Sequence, residues 1–140
     1  MTAKAAAAST RKTSSMFKDA KCFSSFSVDD LDKARQFYGQ TLGLKSSQTA
    51  EGLELNLADG SIVFLYPKPN HAPASFTVLN FLVNNIDEAV DELTTLGVPL
   101  EKYNQPNLKT DERGIMRGPG PNIAWFKDPS GNILSVIEER

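Results

Sequence analysis

The chain has 140 residues, 40% of them apolar and 23% charged, with a formal charge of −2. That make-up fits one globular domain, or two small units sharing a core, and argues against nucleic acid as the main partner. A single cysteine, Cys22, and a single histidine, His71, exclude an internal disulfide, a cysteine-based zinc site and any site needing two imidazoles from one subunit.

Residues 1–16 are rich in Ala, Ser and Thr. They carry Lys4, Arg11 and Lys12 and no acid, so the remaining 17–140 holds −5. With no aromatic or β-branched aliphatic residue to anchor it, this stretch reads as a disordered basic tail. An organelle transit peptide has a similar composition and stays open as an alternative. Elsewhere no apolar run approaches the ~18 residues of a membrane span, so no membrane partner and a cytoplasmic location are expected.

From 17 on, the first element is a strand over Cys22 to Val28. A helix follows, with Leu31, Ala34, Tyr38 and Leu42 at three- and four-residue steps, Asp30 as N-cap and Gly43 closing it. Strands at Leu53–Leu57 and Ile62–Tyr66 flank the turn Ala58-Asp59-Gly60-Ser61. A linker with Pro67, Pro69 and Pro73 leads to a second strand–helix pair. Here the strand is Thr77 to Val83, and the helix carries Ile86, Ala89, Val90, Leu93 and Leu96 between Asn85 and Gly97. Strands at Ile123–Lys127 and Asn132–Glu138 flank Asp128-Pro129-Ser130-Gly131.

The halves repeat. Val28-Asp29-Asp30-Leu31-Asp32-Lys33-Ala34 matches Val83-Asn84-Asn85-Ile86-Asp87-Glu88-Ala89, and both lead to Leu-Gly. The offset grows from 54 residues at the Leu-Gly pairs to 71 at Gly60 and Gly131, so about 17 extra residues fall between Pro99 and Pro121. With one weaker strand after each helix, each half is β-α-β-β-β: module 1 over about 17–70 and module 2 over about 74–140.

The run from Val28 through Arg35-Gln36-Phe37-Tyr38 to Leu42-Gly43 resembles the opening signature of the vicinal oxygen chelate superfamily. That superfamily embraces glyoxalases, bleomycin-resistance proteins and extradiol dioxygenases. Ala124-Trp125-Phe126-Lys127-Asp128-Pro129-Ser130-Gly131-Asn132 resembles its closing signature, and the likeness spans 17–140. The resemblance implies an α+β fold in which two βαβββ modules form a curved mixed sheet, a partly closed barrel, around a cavity. It also implies a homodimer.

In the superfamily's metal enzymes four strand positions supply His, Glu or Gln. The resemblance carries these positions onto Phe23, Phe64, Val78 and Ser135, of which only Ser135 offers an oxygen. No metal and no other cofactor is therefore expected. Strand alternation points Phe23, Ser25 and Ser27, and in module 2 Val78, Asn80 and Leu82, into the cavity. Cys22, Phe26, Val28, Leu79, Phe81 and Val83 then face the helices. A mixed apolar and hydroxyl or amide lining suits a small organic ligand.

Other candidates have two readings each. Arg113 and Arg117, in the insertion over 104–121, belong either to a lid that meets an anionic or carbonyl group or to a surface loop paired with acids. Trp125 stacks on a planar ligand, or packs in the core or at a dimer seam. Gly118-Pro119-Gly120-Pro121 reads as a turn. Glu54, Tyr38 and Tyr66 have no evident catalytic partner. His71 is expected to be solvent-exposed, and no Ser-His-Asp arrangement follows from sequence. The expected function is metal-free binding of a small molecule. The alternatives are a glyoxalase-like lyase or dioxygenase-type enzyme, metal-dependent or a metal-free isomerase, and a partner-binding subunit with a vestigial cavity.

Overall fold

The computed structural model describes residues 16–139, so the expected tail lies, but for Met16, outside the described residues. Module 1 contains β1 (Ser24–Val28), α1 (Leu31–Arg35), which continues as a π-helix over Gln36–Thr41, β2 (Lys45–Gln48), β3 (Leu53–Asn56) and β4 (Ile62–Pro67). Module 2 opens with β5 (Thr77–Val83) and α2 (Ile86–Thr95). The hairpin of β6 (Asn104–Gln105) and β7 (Leu108–Lys109) follows, then β8 (Ile115–Met116), β9 (Ile123–Lys127) and β10 (Ile133–Glu138).

The strand orders are the same in both modules, β1-β4-β3-β2 and β5-β10-β9-β8. β1 runs parallel to β4 and β5 parallel to β10, and the other pairs are antiparallel. A parallel pair needs a crossover rather than a tight turn, and the helix-containing connections supply it. β1 and β5 line the same clefts without forming a ladder, so the surface stays open rather than closing into a barrel.

Both helices begin as the sequence dictates. Asp30 and Asn85 accept from the backbone N–H groups three residues on, at 3.0 and 3.1 Å. α2 buries Ile86, Val90 and Leu93 and ends in a Schellman turn. Val98 N donates to Leu93 O, Gly97 N donates to Thr94 O, and Gly97 sits at φ 81°. The first helix departs from the single α-helix expected over 31–42. Past Arg35 it widens, and Leu42 N donates to Phe37 O, five residues back. The wider turn lets adjacent aromatics serve different contacts. Tyr38 is fully buried, while Phe37 packs edge-on against it and also meets Phe126.

The core lies on the helix side of both sheets. Val28, Leu53, Leu55, Leu65, Ile86, Ile115 and Leu134 are all at 0% exposure, and Phe126 is at 1%. Alternate residues on the same strands, Glu54, Asn56, Ile62, Phe64 and Tyr66 among them, are half-buried and face away from the helices. One face of each sheet is therefore spent on the core and the other is left for a site.

The turn after β9 fastens the modules together. Asp128, buried in module 2, accepts from Tyr38 Oη at 2.7 Å and Asn132 Nδ2 at 2.9 Å through Oδ2. It accepts from Ser130 N and Asn132 N, both at 2.9 Å, through Oδ1. Asn132 Nδ2 also donates to Ser27 O at 2.9 Å, and Ser130 Oγ donates to Asp29 Oδ1 at 2.7 Å. Burial first, then the Asp128 charge and hydrogen bond, raise the Tyr38 pKa above its usual 10.

Candidate functional site

Two clefts flank β1 at the seam between the modules, the first reaching in to the core-side residues Leu44, Val63 and Phe81. One of about 590 Å³ lies at its start, where Phe23, Leu57, Asp59 and Ile62 meet Asn80 and Leu82 of β5. The other, of about 430 Å³, lies at its end, where Ser25, Ser27 and Tyr66 meet Phe76, Thr77 and Val78. Ser24 lines both, so the two clefts are neighbours along the seam between modules. Phe23, Phe76 and Leu82 stand 66–67% exposed along it.

Register decides which expected residues meet. Phe64 lies across from Ser25 rather than Phe23, and Ser135 lies across from Asn80 rather than Val78. The β5–β10 register slips between Ile133 and Leu134, leaving Val78 unpaired at the bulge. Ser135 is fully buried and its Oγ lies 2.5 Å from Asn80 Oδ1. The Asn80 amide nitrogen, Ser25 Oγ and Tyr66 Oη make no hydrogen bond to any described residue. Glu54 shares this face beside Phe64, a carboxylate that sequence reasoning did not place in the cavity. The alternation expected for β3 was enough to find it.

Trp125 sits next to Ser135 on the same face. Its Nε1 donates to Thr77 Oγ1 at 3.1 Å, and Tyr103 packs edge-on against the ring at 5.5 Å. Its one polar atom is thus taken within module 2, and the ring helps cover Ser135.

Arg113 and Arg117 are not gathered with these residues. Arg113 bonds Asp87 at 2.5 Å and also Asp91, and Arg117 bonds Asp87 at 2.7 Å and Asp111 at 3.2 Å. Hydrogen bonds donated to Asp87 and then to Asp111 hold the Arg117 guanidinium still more firmly protonated. Arg113 lines a separate cleft of about 560 Å³ between α2 and the segment that follows it, with Thr94, Pro99, Leu100, Lys102 and Glu112. Both arginines anchor the insertion to α2, as in the surface-loop reading.

Two expectations need correction. Cys22 does not face the helices. The β1 ladder starts at Ser24, so Cys22 precedes the sheet, is not bound by its alternation, and is exposed. Nor is His71 a solvated linker residue. It is half-buried, with Nδ1 2.7 Å from Ser27 Oγ and Nε2 3.0 Å from Ser130 O. Contacts across 44 and 59 positions leave no local signal in the sequence.

The donor chemistry answers whether a metal fits. The cross-strand pairs on this face are Ser25 with Phe64 and Asn80 with Ser135, with Phe23 and Val78 nearer the strand ends. These positions offer only neutral hydroxyl and amide groups, and Glu54 adds a single carboxylate beside Phe64. Among the described residues no three of His, Cys, Asp and Glu are grouped where an ion could be held. A few neutral oxygens and one carboxylate do not fit a divalent ion, which takes several imidazole, thiolate or carboxylate donors.

Among solved structures, a member of the glyoxalase/bleomycin resistance protein/dioxygenase superfamily from Sphaerobacter thermophilus is 24% identical, with a TM-score of 0.64, covering 86% of this chain and 98% of its own. An antibiotic binding protein from a Streptomyces species is 22% identical, with a TM-score of 0.60 and coverages of 86% and 98%. The fosfomycin resistance protein FosX from Listeria monocytogenes is 14% identical, with a TM-score of 0.64 and coverages of 86% and 93%. At these identities the likeness is one of fold. No curated protein matches the chain. Among the described residues no helix is long and apolar enough to cross a membrane. The sequence model of the glyoxalase/bleomycin resistance protein/dioxygenase superfamily matches residues 23–136, and with the paired βαβββ modules this establishes that the chain belongs to that superfamily.

Proposed function

We propose that the protein binds a small organic molecule, without a metal ion, in the clefts along β1 and β5. The observation that carries this is the donor set. The positions that the resemblance assigns to metal ligands are Phe23, Phe64, Val78 and Ser135, while the clefts along β1 present the aromatic walls of Phe23 and Phe76 and a few unengaged polar atoms. Apolar area supplies affinity, and Ser25, Asn80 and Tyr66 orient the ligand. Ser27 and Ser135 already hold partners, and Trp125 contributes its ring face. The Streptomyces relative is an antibiotic binding protein, which supports cargo of this kind. Arg113 and Arg117, engaged by α2, stand outside the proposed contacts.

The exposed ridge of Phe23, Phe76 and Leu82 supports a homodimer in which a second copy covers the seam. Light scattering at micromolar concentration tests it, and a monomeric mass refutes it. A lone, exposed thiol at Cys22 suits a reducing compartment, so the cytoplasm is the location this reading expects. A thermal-shift screen of small molecules tests the binding function. A ligand at ~100 times its dissociation constant adds about 2.7 kcal/mol, and Phe23→Ala together with Phe76→Ala should reduce that gain. A silent screen would favour a cavity without cargo.

A further inference from the structure

The Pro-rich linker brings the chain's one histidine to the end of β1. His71 Nε2 lies 3.0 Å from Ser130 O, and a carbonyl only accepts, so Nε2 carries the proton and donates. In the neutral ring Nδ1 is then bare, and Ser27 Oγ, 2.7 Å away, donates to it. Ser130 is itself fixed, through its Oγ on Asp29 and its N–H on Asp128. A serine hydroxyl on an imidazole whose other nitrogen is held by a third group is the arrangement of an activated nucleophile.

The surroundings supply the rest. Ser27 lines the cleft of about 430 Å³, whose other walls include Ala72, Ala74, Phe76 and Val78. Val28 O accepts from Lys68 N, beyond the end of β4, whereas Ser27 O accepts from Asn132 Nδ2. Strand alternation therefore turns the Ser27 N–H to the free edge of β1. Tyr66 is the cross-strand partner of Ser27, and its hydroxyl makes no hydrogen bond to a described residue. The Ser27 N–H and the Tyr66 hydroxyl are two donors for an oxyanion.

We propose that Ser27 and His71 are a nucleophile and base that hydrolyse esters of short, apolar acyl groups. Ser27 Oγ bonds to the acyl carbon as its proton passes to His71 Nδ1. The tetrahedral adduct then breaks its bond to the leaving oxygen, which takes that proton from His71 and departs as the alcohol. Water adds to acyl-Ser27, giving a proton to His71. The Ser27–acyl bond breaks, the proton returns to Ser27 Oγ, and the carboxylic acid leaves. The balance needs only ester and water. The site shares its cleft and Tyr66 with the ligand site proposed above, but labelling of Ser27 is read directly and succeeds or fails whether or not a screened ligand binds.

Diisopropyl fluorophosphate with the full chain, followed by peptide mass spectrometry, tests the nucleophile. Hydrolysis of p-nitrophenyl acetate and butyrate tests turnover. The expected result is one phosphoryl group, on Ser27, absent when the chain is first unfolded in urea. Ser27→Ala and His71→Gln should each lower hydrolysis by about 100-fold with unchanged circular dichroism. No adduct on the folded chain, an adduct on another residue, or equal labelling of the unfolded chain would overturn the proposal. Ser27 and His71 would then be a structural staple only. Since the label is sought on the parent chain, the labelling result decides the matter even if a variant fails to fold.

Discussion

Tyr38→Phe isolates one of the hydrogen bonds that join the modules. The ring stays, so packing against Phe37 and Phe26 is kept, and only the hydroxyl on Asp128 Oδ2 is lost. The bond is 2.7 Å long, Tyr38 is at 0% exposure and Asp128 at 5%, so water cannot replace it readily. Hydrogen bonds to charged groups contribute about 1.5–3 kcal/mol. Asp128 keeps three other donors, which places the loss near the middle, at about 2 kcal/mol. With a urea m-value of roughly 2 kcal/mol/M, the unfolding midpoint should fall by about 1 M at unchanged slope. Asp128→Ala strips four donors of their acceptor at once and should cost more, about 3–5 kcal/mol. In the double variant the two losses should fall short of additivity by 1 kcal/mol or more, on the order expected of residues in contact. A Tyr38→Phe midpoint within about 0.2 M of the parent, or strict additivity with Asp128→Ala, would refute the claim that this contact helps hold the halves together.

Folding keeps a proton on Tyr38 that the unfolded chain releases above pH 10, so stability should fall as pH rises past 10, by about 1.4 kcal/mol per unit. Tyr38→Phe should flatten that slope when unfolding is followed at pH 9–11, and an unchanged slope would contradict it. Hydrogen bonds from Ile86 N and then Asn122 hold the Glu138 carboxyl below its usual 4.5, which stabilises the fold above that pH and is lost as pH falls through the lowered value. Glu138→Gln should remove this part of the acid sensitivity, as read from melting temperatures between pH 3 and 6. A Cβ on Gly52 would stand 2.2 Å from Leu65 O, a backbone atom that cannot move aside, so Gly52→Ala should destabilise by roughly 1–3 kcal/mol or more. A neutral result by urea titration would mean the β3–β4 contact is looser than described.

Most of the architecture was legible because it rests on local signals. Asp30 and Asn85 as caps, the three–four spacing of Ile86, Val90 and Leu93, and the turns around Gly60 and Gly131 each act within a few residues. The repeat gave two modules of like plan, and the two sheets share one strand order. What stayed hidden is non-local or depends on register. Nothing near Gln36 announces a π-helix, whose gain is realised against Phe126, some 90 positions away. Pairing Phe64 with Ser25 and Ser135 with Asn80 required the ladder, and the bulge at Val78 breaks the regular alternation that sequence reasoning assumed. The arginines of the insertion had both acids and a cavity within conceivable reach, and the structure sets them on α2. His71 offered no clue at all, because its partners come from β1 and from the turn after β9.

The central claim, clefts built for an organic ligand and not for an ion, is met most directly by elemental analysis of the purified chain after exposure to zinc, nickel, iron and manganese and exhaustive dialysis. Far less than one equivalent of any of them per subunit is expected, since Ser25, Asn80 and Ser135 offer only neutral oxygen and amide groups and Glu54 alone adds a carboxylate. One equivalent retained through dialysis, and lost to a chelator together with ligand binding or activity, would contradict the account.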